Sequence, residues 1–335
     1  MPRVSIVLPF RDAADTLPEC LESIRRQTLA EWELVAVDDG SRDASAPLLE
    51  EFAREDARVR LLRPGRVGLV AALNLGVREA GAPLVARMDA DDVMHPERLE
   101  AQAEYLDRHP DVALAGTQVE LFPPERVQAG YREYVRWQNA VLEPDEVATQ
   151  IYVESPFAHP SVMVRRETLL RVGGYAEGDF PEDYELWLRM HRAGCRMAKV
   201  PRVLLFWRER EDRTSRVDAR YARAAFDRLR AEYLARDPRL RGGREVVVWG
   251  AGRKTRLRAR LLLERGVRPS AWVDIDPRKV GGTADGLPVR PPEWLAREPR
   301  PLVLVYVTSH GARDYVAGRL AEWGYRPGED FLAVG

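Results

Sequence analysis

Short apolar runs recur at Val4–Leu8, Trp32–Val37, Val59–Leu62 and Pro83–Met88, and segments with apolar residues at helical spacing lie between them, near 16–27, 46–54 and 69–80. Runs of this length rich in Val, Leu and Ile read as buried strands, and the longer periodic stretches as helices. Pro9 stops the first run, and Thr16-Leu-Pro-Glu19 predicts a capping box with proline in the first helical turn. Strands alternating with helices predict a mostly parallel sheet with helices on both faces, an α/β class.

The rhythm breaks between Gly116 and Ser155, where Tyr, Trp, Pro and Arg are interspersed. It returns with a strand at His159–Val164, a Gly173-Gly174 turn, a helix over Pro181–Arg192 and a strand over Val200–Trp207. An Arg/Ala-rich helix is expected from Ser215 to Ala235, followed by a linker at Asp237–Gly243. Alternation then restarts: strand Glu245–Trp249, Gly250-Ala-Gly252, a helix to Arg265, strands Ala271–Asp274 and Leu302–Val307, and a helix over Ala312–Trp323. The expected organisation is a catalytic-sized domain over 1–215, a helical connection and linker over 216–242, and a small Rossmann-like domain over 243–335.

Composition narrows this picture. With 335 residues the chain has length for about two domains, and 45% hydrophobic with 31% charged residues excludes a disordered or collagen-like chain. The 52 basic and 53 acidic residues give a net charge of −1, so no global argument for nucleic-acid binding exists. Cys20 and Cys195 are isolated, which argues against a disulfide framework or a structural zinc and fits a reducing cytoplasm. No apolar stretch approaches the roughly 18 residues that span a bilayer, and the start of the chain lacks a signal-peptide core. The expectation is a cytoplasmic protein, at most peripheral at the inner face of a membrane.

Open sheets of this kind bind ligands beyond the carboxyl ends of their strands. The polar clusters fall there: Phe10-Arg-Asp12, Asp38-Asp-Gly-Ser41 and Asp89-Ala-Asp-Asp92. Asp89 and Asp91 point the same way in extended geometry, and paired carboxylates hold a hard divalent cation that also bridges phosphate oxygens. Taken alone the same residues suit a solvated loop or a helix cap, and Asp39-Gly suits a turn.

Order and spacing add to this. VSIVLPFRDAADTLPECLESIRRQT, then VDDGSRD, then GLVAALNLGVREAGAPLVARMDADDVMHPERLEAQ, then SPFAHPSVMVRRETLLRVGGYAEGDFPEDYELWLRM resemble family-two glycosyltransferases of the GT-A fold over roughly residues 3–215. The resemblance implies an inverting transfer of sugar from a nucleotide-diphosphate donor to an acceptor hydroxyl. It implies that Pro9, Phe10 and Arg11 line the base and ribose, that Asp38 bonds base or ribose, and that Arg66 and Asn74 lie by the donor. Asp89, Ala90 and Asp91 would meet the ribose, diphosphate and metal, with Asp89 and Asp91 facing Mn2+ or Mg2+ and UDP the first donor expected. Of the Glu182-Asp183 pair, Asp183 would be the general base, because a sugar hydroxyl needs its proton taken as it attacks; carboxylates in a helix's first turn are also simply favourable with the dipole. His159 and Trp187 are candidates for the acceptor side, although a satisfied strand histidine suits His159 equally, and Leu186, Trp187 and Met190 form a core-facing stripe that favours the core for Trp187. Where many members carry a histidine after the Val200–Trp207 strand, this chain has Arg208-Glu-Arg210 and Arg213-Thr-Ser-Arg216.

In the carboxy-terminal module, Gly250-Ala-Gly252 lies between strand and helix, and Asp274 ends the next strand, a Rossmann-like beginning with Thr255 where a third glycine would stand. Docking or homo-oligomerisation is the expected role, with nucleotide binding the alternative. Two other readings of the whole chain remain: nucleotidyl transfer, which lacks a basic Gly-rich loop after the first strand, and a non-catalytic nucleotide-sugar-binding scaffold.

Overall fold

The computed structural model describes residues 1–210, 213–307 and 311–335. By contacts the chain divides into two compact units, Met1–Val147 with Pro156–Asp218, and Ala148–Ser155 with Ala219–Gly335.

The first unit runs β1 (Val4–Phe10), α1 (Leu17–Arg25), β2 (Trp32–Asp38), α2 (Ser45–Glu55), β3 (Val59–Leu62), α3 (Leu69–Glu79), β4 (Leu84–Arg87), β5 (Val93–Met94), α4 (Arg98–Arg108) and β6 (Val112–Phe122). It continues through α5 (Ala129–Ala140), α6 (Pro144–Gln150, ending past the boundary), β7 (Met163–Arg165), α7 (Arg166–Arg171), α8 (Glu182–Arg192), β8 (Arg196–Arg208) and α9 (Thr214–Val217). Among the described residues the sheet order is β3-β2-β1-β4-β7-β6-β8-β5. β1 is parallel to β2 and β4, and β7 is antiparallel to both β4 and β6.

Register places the polar clusters side by side. Phe10 lies opposite Asp38, and Val7 lies opposite Arg87, so Asp89 emerges level with the end of β1. Strand side chains alternate faces: Val4, Ile6, Leu8, Leu34, Ala36 and Ala86 pack with Leu17 and Ile24 of α1, while Val35 and Val37 meet Ala72 of α3. A Cβ on Gly76 would stand 2.5 Å from Val7 Cγ1, so only glycine lets α3 lie this close to β1.

Several local expectations are corrected. Thr16 does not cap α1 with its side chain; its hydroxyl donates to the carbonyls of Ala13 and Ala90 and ties α1 to the turn after β4. Strand β8 begins at Arg196, and the irregular stretch contains β6 and α5. His159–Ser161 is a 3-10 turn rather than strand, because Pro160 cannot donate to a ladder.

The second unit adds α10 (Arg223–Ala235), α11 (Pro238–Arg241), β9 (Val246–Trp249), α12 (Arg253–Leu263), β10 (Ala271–Val273), β11 (Thr283–Ala284), β12 (Leu287–Arg290), β13 (Leu302–Val305), α13 (Ala312–Glu322) and β14 (Phe331–Ala333). Its parallel strands lie in the order β12-β10-β9-β13-β14, the third-second-first-fourth-fifth arrangement of a doubly wound sheet. The expected linker is folded: Asp237 caps α11 by accepting from Arg239 N, and α10 packs on α12. Asp274 spends its carboxylate internally, on the N–H groups of Ala251 and Asp276 and on Lys279. Among the described residues no helix is long and apolar enough to cross a membrane.

Candidate active site

The loops after β1 and β2 are laced into one rim. Asp39 N donates to Phe10 O at 2.9 Å, Arg42 N to Asp12 Oδ1 at 2.8 Å, and Ser41 N to Asp38 Oδ1 at 2.8 Å. Asp12 takes a left-handed φ of 48°, a conformation Asp tolerates by bonding locally. Asp39 accepts from the N–H groups of Val67 and Gly68, which brings exposed Arg66 against Gly40. Of the residues expected around the base, Arg11 is exposed and Asp38 is buried, its free edge 3.8 Å from Arg63. The Phe10 ring belongs to the core, so this position contributes the strand end and not a ring face.

Asn74 serves as a structural residue. Its amide donates to Tyr175 O at 2.9 Å and accepts from Tyr175 N at 2.8 Å, so both groups are spent on the turn after Gly173-Gly174. A Cβ at Gly174 would sit 2.5 Å from Asn74 Oδ1. Arg189 of α8 grips the same turn through the carbonyls of Val172 and Gly174 while paired to Glu185. This double clamp fixes where α8 begins.

Oxygen atoms of Asp89, Asp91 and Asp92 lie within 4.8 Å of one another at the end of β4. Burial raises the Asp91 carboxyl above its usual range and Asp89 adds to this, while Arg213 and Arg210 oppose it. Asp92 is raised further, by burial and then by the charges of Asp91 and Asp89. Asp92 is 1% exposed, and its Oδ2 is a buried acceptor without a hydrogen-bond donor. Three crowded carboxylates with an orphaned oxygen suit a hard divalent cation. Ala90 is buried and contributes its carbonyl to Thr16.

The arginines after β8 face this cluster. Arg208 donates its backbone N–H to Asp92 and its Nε to Asp91 O, and its guanidinium pairs with Glu19. Arg213 lies over Trp207 and Tyr131, with its guanidinium carbon 4.5 and 5.6 Å from the ring centroids, and bonds Glu209 at 3.2 Å. Of the expected Arg213-to-Arg216 segment, the side chains of Thr214 and Ser215 lie outside the described residues, as do residues 211 and 212.

At the start of α8, Glu182 is buried and Asp183 half-buried. Burial, and then the Glu182 carboxylate, pushes Asp183 up to about 8; the Tyr184 N–H and Arg87 oppose this. His159 is buried, held by Tyr175 Oη at 2.9 Å, and lies 3.7 Å from Glu182; burial keeps it neutral. Trp187 has no exposed surface and packs against Phe157 and His159, so it lies in the core, as the core-facing stripe predicts.

Two groups escaped the sequence reading. Asp92 was the third acid of a run in which only the first and second had been given roles. Arg87, 4% exposed, was signalled by a charge inside an otherwise apolar strand, Leu84-Val-Ala-Arg-Met88.

Comparison with known proteins agrees with this geometry. The Erwinia amylovora amylovoran biosynthesis glycosyltransferase AmsE is 32% identical over 209 residues, covering 60% of this chain and 74% of that protein. An Escherichia coli UDP-Gal:alpha-D-GlcNAc-diphosphoundecaprenol beta-1,3-galactosyltransferase is 28% identical, covering 70% and 86%. Solved structures share the GT-A fold: S. aureus TarS 1-349 in complex with UDP-GlcNAc has a TM-score of 0.55 at 19% identity, covering 70% of this chain and 72% of that one. The Pyrobaculum calidifontis mannosyltransferase PcManGT, in complex with GDP-Man and Mn2+, has 0.51 at 22%, covering 70% and 62%. The family described as Glycosyl transferase family 2 matches residues 5–173, half of the chain and all of the rim formed after β1 and β2, and this chain is a glycosyltransferase belonging to that family.

Proposed function

We propose that the chain transfers a sugar, with inversion, from a nucleoside-diphosphate sugar to an acceptor hydroxyl, within a catalytic domain spanning about residues 1–215. The observation that carries this reading is the Asp89–Asp91–Asp92 cluster at the carboxyl end of β4, faced by arginines from the end of β8. Asp38, Arg11 and Arg66 lie on the rim where a base and ribose would rest. Asp91 and Asp89 would hold Mn2+ or Mg2+, which when bound supplies charge neutralisation to the diphosphate. Arg213 and Arg210 place positive charge on the same side as the leaving group.

Asp183 is assigned the base. Its raised affinity for a proton brings it near the operating pH, the condition under which a carboxylate accepts a proton from a hydroxyl most effectively. A uridine diphosphate sugar and a lipid-diphosphate-linked acceptor are the first pair to try, because the Escherichia coli relative is named for such substrates. Thermal shift with uridine and guanosine diphosphates, with and without manganese, is the test. A manganese-dependent rise in melting temperature with one base is expected; no response to any nucleoside diphosphate would sink the reading.

A further inference from the structure

A buried guanidinium is costly unless it is paired, and an apolar residue in its place would avoid the cost. Arg87 sits in the apolar end of β4, 4% exposed, with its Nη1 2.5 Å from Asp89 Oδ1. Its Nε has no hydrogen-bond partner. Its other electrostatic neighbours are on the base side: Tyr175, Glu182 and Asp183, with neutral His159 beside them. A second buried guanidinium, Arg98, donates to the Arg87 carbonyl at 2.9 Å, so like charge from that side makes the acidic partners more necessary.

We propose that Arg87 is a positioning residue that joins the two halves of the site, holding Asp89 on the donor side and serving as counter-charge to the Glu182–Asp183 pair on the base side. This rests on the reading of Asp183 as base. Asp89 emerges two residues beyond Arg87, so the strand itself fixes the distance between the guanidinium and the donor-side carboxylate. On the opposite side, Arg189 of α8 bonds the carbonyls of Val172 and Gly174 and Asn74 bonds Tyr175, so the turn that leads to α8 is tied down. Glu182 and Asp183 at the start of α8 feel the same cation. One rigid charge thus touches the group that orients the donor and biases the group that accepts the proton. The guanidinium opposes the rise that burial and Glu182 impose on Asp183.

The test uses the full chain with Arg87→Met, which keeps length and removes charge, and Arg87→Lys, which keeps charge. Two quantities are read: manganese-dependent affinity for the nucleoside diphosphate, by calorimetry, and the pH dependence of donor turnover. Arg87→Met is expected to weaken the affinity about tenfold and to move the acid limb of turnover up by about one pH unit or more, the effect of losing a nearby opposite charge. Arg87→Lys is expected to restore the limb in large part, which a purely structural role would not do. A folded Arg87→Met with both quantities at their original values overturns the proposal, as does Arg87→Lys behaving like Arg87→Met. Failure of the unaltered protein to bind any diphosphate or turn over any donor overturns instead the function on which the proposal rests.

Discussion

The backbone N–H of Arg208 donates to Asp92 Oδ1 at 2.7 Å, joining the end of β8 to the turn after β4 across 116 residues of sequence. Through this bond the acid cluster carries the segment from which the arginines project. Asp92→Ala leaves a buried N–H without acceptor and should cost about 1–3 kcal/mol of stability. It should also weaken manganese-assisted diphosphate binding, because Arg208 and Arg213 lose their anchor. Unfolding curves and calorimetry on the same preparation check both; unchanged binding would separate Asp92 from the site.

Asn74 bonds both backbone groups of Tyr175 and thereby holds α3 to the turn before α8. Asn74→Ala should lower stability by about 1–3 kcal/mol through two unsatisfied groups. Donor affinity should change less than threefold, roughly the 0.6 kcal/mol a displaced exposed contact brings. A large loss of donor affinity at preserved stability would return Asn74 to the donor site.

Residues 148–155 belong to the second unit although they lie between stretches of the first. Tyr152 Oη donates to Asp237, and Gly335 N donates to Tyr152 O. Ile151, Tyr152 and Val153 are each at most 4% exposed. A chain cut after Asp237 keeps that residue but loses Gly335 and most of the second unit to which this segment belongs, and exposing each of these side chains costs about 1.5–3 kcal/mol. The product of residues 1–237 should aggregate or melt well below the full chain; a monomer of equal stability would show that the segment needs no partner.

The alternation of apolar runs and periodic helices was enough to read the parallel core of the first unit, because β1, β2 and β4 are buried on both faces and therefore mostly apolar. β6 escaped because its pattern fades outward: its first residues are buried and its last ones, from Glu120 to Phe122, are not. The gathering of Asp38, Asp89 and Asp91 at neighbouring strand ends was legible because each follows an apolar run directly. The core-facing stripe already pointed Trp187 inward, but the partners of Trp187 and Asn74 were not legible. A helix presents several faces, and which one meets the core depends on Phe157, His159 and Tyr175, all brought in by tertiary packing.

Burial and mutual charge raise Asp91 and Asp92 in the folded chain. The folded state then binds their protons more tightly than the unfolded state, so their stabilising contribution is complete below about pH 4 and is lost as pH rises through the raised values. Asp43, Asp56, Asp237 and Asp330 are shifted the opposite way, and their effect falls below that window. Burial lowers the proton affinity of His159 and of Lys199, which act the opposite way in this window. The cluster's share is therefore read by difference: from pH 5 to pH 8 the metal-free protein should lose melting temperature relative to metal-free Asp92→Asn. Manganese at about a hundred times its dissociation constant should add roughly 2.7 kcal/mol at pH 8. A metal-free Asp92→Asn whose melting temperature tracks that of the unaltered protein from pH 5 to pH 8 would contradict this account of the cluster.

Asp183 is pushed up to about 8 and accepts the Tyr184 N–H at 2.7 Å. Asp183→Asn keeps shape and an acceptor for that bond, so the start of α8 should survive. The amide cannot take a proton from an attacking hydroxyl, and loss of a general base costs about 10²–10⁴ in rate. Manganese-assisted diphosphate affinity should stay within a factor of about two, since the substitution touches neither Asp89 nor Asp91. Asp91→Ala should show the reverse order, with affinity lost first and turnover in consequence. In the unaltered enzyme turnover should fall as pH drops below about 8, because the protonated carboxyl is inactive, and Asp183→Asn should flatten that limb. Near-original turnover of Asp183→Asn with the true acceptor would transfer the role of base to Glu182, the one other carboxylate in that first turn with its side chain buried against His159.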